Sequence, residues 1–110
     1  MRKLAIYPGS FDPITKGHLD IIKRSVELFQ EFKIGVLINS SKKNWFTIEE
    51  RVNLIKDILK EENLDVEVVS FEGLVVDFMN EQNADILIRG LRAVSDYEYE
   101  LQFTLTNNIL

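Results

Sequence analysis

His18 is the only histidine in this 110-residue chain, and it stands directly after Gly17 at the start of an amphipathic run. Leu19, Ile22, Val26 and Phe29 follow it at helical spacing. Upstream, the apolar run Leu4-Ala5-Ile6 is expected to stop at Pro8-Gly9, two residues that break regular structure and permit a sharp turn. A strand, a bent loop bearing Ser10 and Phe11, and a helix with an imidazole in its first turn together make a place for an anion. The unpaired N–H groups of a helix start point at such a ligand, and the macrodipole favours negative charge there. Cations recur further along, as Lys42 and Lys43 in a polar loop and as Arg89 and Arg92 in an Arg-Gly-Leu-Arg run. The chemistry these residue types suggest is the handling of phosphate.

The elements that must position them read as alternating strands and helices. Residues 3–7, 33–38, 66–71 and 84–88 are expected strands. A helix should open at Thr47, where Thr-Ile-Glu-Glu forms a capping box with Glu50, and end near Glu61. A short helix is expected over 74–81, after a turn at Gly73. A second box, Ser-Asp-Tyr-Glu from Ser95, should start a last helix. This alternation predicts an α/β fold, a doubly wound parallel sheet with helices on both faces. Residues 1–110 read as a single domain with no linker. On that frame Ser10, His18, Lys42, Gly73, Arg89 and Arg92 all follow strands, at the carboxyl edge where open α/β sheets bind ligands. A polyanionic small molecule is the expected occupant.

Composition narrows the class. A net charge of −5 argues against a nucleic-acid partner, whose grip depends on Lys and Arg neutralising phosphates. The chain has no cysteine, which excludes disulfides, thiolate ligands and cysteine nucleophiles. Two basic residues near the N-terminus are followed by no apolar leader, and no stretch is long enough to span a bilayer. A cytoplasmic protein with no membrane partner is the expectation.

Three segments resemble the phosphopantetheine adenylyltransferases of the nucleotidyltransferase superfamily: residues 7–18, residues 41–51, and residues 88–100 with their paired arginines and acidic-aromatic tail. Thr15 supports the adenylyl branch, since relatives using cytidine nucleotides usually carry a second histidine there. The resemblance implies a Rossmann-like nucleotidyltransferase fold and transfer of AMP from ATP to 4′-phosphopantetheine, giving dephospho-coenzyme A and pyrophosphate, with Mg²⁺ assisting. The attacking phosphate is already an anion, so positioning and charge stabilisation would carry the rate.

The same resemblance implies the residue roles. His18 would hydrogen-bond the α-phosphate; taken alone, it reads as a solvated histidine at a helix start. Ser10 and Phe11 match a turn that contacts substrate and ATP through hydroxyl and backbone groups. Lys42 matches a lysine that grips the pantetheine phosphate, and Arg89 an arginine that binds the substrate phosphate. Gly90, Leu91 and Arg92 match an ATP-binding turn, and Glu100 an ATP-contacting acid. Gly73, Leu74 and Val75 align with the wall that receives the pantetheine arm, for which core packing is an equal reading. No residue is assigned as a metal ligand. A homo-oligomer, a hexamer, is implied.

Family members run well past Leu110, adding a fifth strand and a Ser/Thr-rich turn that holds the triphosphate. The expectation is therefore four strands with the fifth missing, a domain incomplete at its C-terminus. Two alternatives stay open: a nucleotidyltransferase acting on another phosphorylated substrate, and a module that binds phosphopantetheine or nucleotide without turnover.

Overall fold

Residues 3–38 and 44–89 are described by the computed structural model. Strands β1 (Leu4–Gly9), β2 (Glu31–Ile38), β3 (Glu67–Glu72) and β4 (Ile86–Leu87) form one sheet in the order β3-β2-β1-β4, every neighbouring pair parallel. Helices α1 (Lys16–Leu28), α2 (Ile48–Glu61) and α3 (Val75–Glu81) connect them. The expected box at Ser95, the last helix and everything beyond Arg89 lie outside the described residues.

Alternation along β1 decides the layers. Ala5 and Tyr7 join a core with Ile22 of α1, Ile34 of β2 and Ile55 of α2. Leu4 and Ile6 point the other way, into a core with Phe71 and with Phe78 of α3. A strand covered on both faces must be apolar at every position, which is why β1 reads as a continuous run rather than an alternation. The sheet is thus doubly wound, as expected. No helix among the described residues is long and apolar enough to cross a membrane.

Several boundaries differ from the sequence reading, each for a local reason. Strand β1 does not stop at Pro8; it continues to Gly9, with Pro8 opposite Gly35 and Gly9 opposite Val36. Ile6 turns its carbonyl toward β4, where Ile88 N–H donates to it, so Pro8, two residues on, faces that same side. The β1–β4 ladder covers only Ala5 and Ile6, so the N–H that proline lacks has no partner to lose. β2 starts two residues early, at Glu31, and α1 begins at Lys16 rather than Gly17. β4 keeps only Ile86 and Leu87 of the five expected residues. Its flanks stay bonded to β1 nonetheless, through Asp85 N–H to Leu4 and Ile88 N–H to Ile6, both at 2.9 Å.

The α3 face depends on one close approach. The Phe71 and Phe78 rings stack with centroids 4.1 Å apart and planes 7° from parallel, lying directly over Gly35. A Cβ at Gly35 would stand 2.7 Å from Phe78 Cε2 and 3.3 Å from Phe71 Cε1. Phe78 is only 4% exposed, so its ring has nowhere to retreat. Gly35→Ala should therefore lower stability by about 1–3 kcal/mol, the usual cost of overpacking a filled core. Urea denaturation of the two proteins checks this through the shift in midpoint.

Candidate functional site

Because all four strands are parallel, their carboxyl ends share one rim. From β1 the chain winds outward through β2 to β3, then returns to lay β4 on the other side of β1. The connections therefore diverge between β1 and β4, which opens a crevice at the switch point, the usual place for a ligand in such sheets. Ser10, Phe11 and His18 follow β1 on this rim, and Arg89 follows β4.

His18 is the third residue of α1, whose N-cap is Thr15. Thr15 Oγ1 accepts the His18 backbone N–H at 3.3 Å, while the Thr15 backbone N–H donates to His18 Nδ1 at 2.9 Å. This is a capping box in which imidazole takes the place usually held by Glu or Gln. A backbone N–H can only donate, so Nδ1 must be unprotonated and the ring proton must sit on Nε2. Nε2 is then the donor available to a ligand. The half-buried ring leans on Phe11, with centroids 4.8 Å apart, and faces Tyr7 at 6.3 Å. Loss of hydration in this packing lowers the His18 pKa below its ordinary 6.5, so the neutral form prevails at physiological pH.

The preceding loop is built around Phe11, a buried residue with φ of 47°. Its ring sits edge-on to Tyr7 at 5.2 Å, leaving only its backbone for a ligand. The half-buried Ser10 uses its carbonyl to accept from Arg51 Nη1 at 2.8 Å. Arg51 also donates to the Leu37 carbonyl at 3.0 Å, and Asp12 accepts the N–H groups of Trp45 and Phe46 at 2.7 and 2.8 Å. The sequence reading gave Asp12 and Arg51 no role. A signal for Arg51 was present: with Ile55 and Leu59 it completes the stripe of α2 that the core buries.

The remaining expected site residues divide three ways. Arg89 is exposed just beyond β4. Val75 opens α3 and packs against the core of Leu4, Ile6, Phe71 and Phe78, the packing alternative recognised for it. Next to it, Leu74 is 66% exposed, and Gly73 adopts the φ of +96° that its turn needs. Lys42, Gly90, Leu91, Arg92 and Glu100 lie outside the described residues. A cleft of about 530 Å³ lies at the opposite edge of the sheet beside Leu4, Glu31 and Lys33. It does not touch His18, so size alone does not mark the site.

Residues 6–110 match the family model for cytidylyltransferase-like proteins. A phosphopantetheine adenylyltransferase from Clostridium botulinum is 57% identical over 108 residues, which are 98% of this chain and 67% of that one. Those of Clostridium tetani and Lachnoclostridium phytofermentans are 55% and 56% identical, each covered over 66% of its length. The chain spans about two thirds of the length of the curated relatives it matches. Among solved structures, a bifunctional NMN adenylyltransferase/ADP ribose pyrophosphatase from Francisella tularensis superposes with a TM-score of 0.59 at 18% identity. It is matched over 93% of this chain and 35% of its own. That likeness speaks for the fold.

Two outcomes follow from the capping geometry. Titrated by NMR, His18 should show a midpoint below 6.5. A depressed folded-state pKa means the unfolded chain takes up its proton first, so the neutral ring's contribution to stability is complete above pH 6.5 and is lost as pH falls through the folded midpoint. Thr15→Ala should cost about 1 kcal/mol of stability, read by denaturant unfolding, through loss of the hydroxyl cap.

Proposed function

The chain belongs to the phosphopantetheine adenylyltransferase family of cytidylyltransferase-like nucleotidyltransferases, and from that premise we propose that its site moves the adenylyl group of ATP onto the phosphate of 4′-phosphopantetheine. The family's work is adenylyl transfer in coenzyme A biosynthesis. In the proposed reaction an oxygen of the substrate phosphate attacks the α-phosphorus of ATP. One P–O bond forms, the bond to the β-phosphate breaks, and pyrophosphate leaves as dephospho-coenzyme A is made. The nucleophile arrives ionised, so no side chain need remove a proton.

The observation that carries this reading is the Thr15 backbone N–H held by His18 Nδ1 at 2.9 Å. It commits one ring nitrogen to the helix start and leaves Nε2–H to serve an α-phosphate oxygen as negative charge gathers there. A donor fixed before the reaction spends no energy on reorganisation, which is what makes such groups effective. The first turn of α1 offers further N–H groups to the same anion. Ser10 and the Phe11 backbone border the nucleotide in this proposal, and Arg89 meets the phosphate of phosphopantetheine. Lys42 joins Arg89 there, while Gly90, Leu91, Arg92 and Glu100 attend ATP. Val75 contributes as the half-buried footing of a turn whose exposed face is Leu74.

Mg²⁺ enters the proposal only as an ion carried on the phosphates of ATP. Among the described residues no three carboxylate or imidazole groups converge to hold a metal, and the Asp12 carboxylate is already occupied by two backbone N–H groups. No step here runs through the ion. Assembly as a homo-oligomer, a hexamer, is likewise proposed; Trp45, Leu74 and Val76 are 60–87% exposed and offer apolar area to a second copy.

The test is pyrophosphate release with ATP, Mg²⁺ and 4′-phosphopantetheine. His18→Ala should lower kcat by about 10²–10³, the usual cost of deleting one transition-state donor, with smaller changes in KM. Turnover that survives this substitution unchanged removes His18 from the mechanism. Calorimetric binding of phosphopantetheine without any turnover in the parent protein would select a binding module instead.

A further inference from the structure

Phe11 is gripped from both sides. On one side the Ser10 carbonyl accepts from Arg51 Nη1, which also donates to the Leu37 carbonyl at the end of β2. On the other, the Asp12 carboxylate takes the Trp45 and Phe46 N–H groups just before α2. Between the two grips lies a buried, non-glycine residue at φ 47°, a conformation that an L side chain holds only when its surroundings impose it. The ring of that residue is the surface against which the His18 imidazole rests, at 4.8 Å.

We propose that Arg51 and Asp12 are positioning residues, a brace between the β2–α2 connection and the β1–α1 loop that holds Phe11 in its left-handed conformation and so fixes the His18 imidazole at the rim. Neither touches a reacting atom. Stability alone gives no reason for an arginine here. Arg51 is 2% exposed in the stripe of Ile55 and Leu59, its Nε has no partner, and no carboxylate among the described residues pairs with it. An apolar side chain of similar volume would fill that position without desolvating a charge. What an apolar side chain lacks is a donor such as Nη1, whose two N–H groups hold two carbonyls from different elements at once. Asp12 supplies the complementary half, since a carboxylate accepting two N–H groups makes short, charge-assisted bonds.

The kinetic arm of the test rests on the adenylyl-transfer reading; two other arms do not. Asp12→Asn keeps the shape but can accept only one of the two N–H bonds, and Arg51→Met keeps much of the volume but removes the Nη1 group that serves both carbonyls. In Asp12→Asn the Trp45 and Phe46 amides should exchange with deuterium faster, and the His18 midpoint should move back toward 6.5 as the ring loses its packing. In the same variant kcat should fall about 10- to 100-fold while both KM values change less than about threefold, the pattern of a misplaced transition-state group. Arg51→Met should reproduce the kcat loss, and if it fails to fold, Asp12→Asn decides alone. A folded Asp12→Asn with faster amide exchange but an unaltered His18 midpoint and unaltered kcat overturns the brace. Should the parent protein show no turnover, the functional reading falls, and the His18 midpoint in Asp12→Asn still decides for or against the brace.

Discussion

One hydrogen bond, from the Thr15 backbone N–H to His18 Nδ1, orders the chemistry of this fold. It closes a helix start and, by the same contact, dictates which ring nitrogen carries the proton. A glutamate in that position would cap the helix equally well but would present a negative charge to an incoming phosphate. Imidazole caps as an acceptor on one side and donates on the other, a division that a carboxylate cannot make. In the proposed reaction, the structural demand of α1 and the electrostatic demand of phosphoryl transfer are met by one side chain.

Everything around that bond limits its freedom. Phe11 and Tyr7 pack the ring and strip part of its hydration, which holds the pKa down and keeps Nδ1 an acceptor. Phe11 is itself fixed through its neighbours, Ser10 and Asp12, by groups that belong to the next connection in the chain. The sheet order β3-β2-β1-β4 sets both loops on one rim, with the crevice between β1 and β4. The acidity of the whole chain does not bar an anion from this edge: net charge describes the molecule, and the rim is a local environment.

How far the sequence could be read depended on whether a residue does one job or two. The box at Thr47 and Glu50 matches the ordinary template, and the structure forms it, with Thr47 N–H to Glu50 Oε1 at 2.9 Å. The box at Thr15 is not legible as a cap because its fourth member is a histidine; in the sequence Thr15 speaks only to nucleotide choice. Pro8 read as a stop because proline lacks a donor, yet that argument fails where the neighbouring strand has already ended. The signal at Arg51 is ambiguous for the opposite reason: a charge in an apolar stripe looks like a lapse in periodicity until the carbonyls it serves are seen. The two-sided sheet, by contrast, was plain in the sequence, since only burial on both faces explains a strand such as Leu4-Ala5-Ile6-Tyr7.

The most direct test is the tautomer of the single imidazole. A long-range ¹H–¹⁵N correlation spectrum at neutral pH reads the two ring nitrogens of His18 separately, and with one histidine in the chain it needs no assignment against others. With the Thr15 N–H held by the ring, Nδ1 should resonate as an unprotonated nitrogen and Nε2 as a protonated one, with Nε2 responding when ATP is added. A ring with its proton on Nδ1, or with the two forms equally mixed, would contradict this assignment, because the Thr15 N–H would then have no acceptor and the rim no fixed donor.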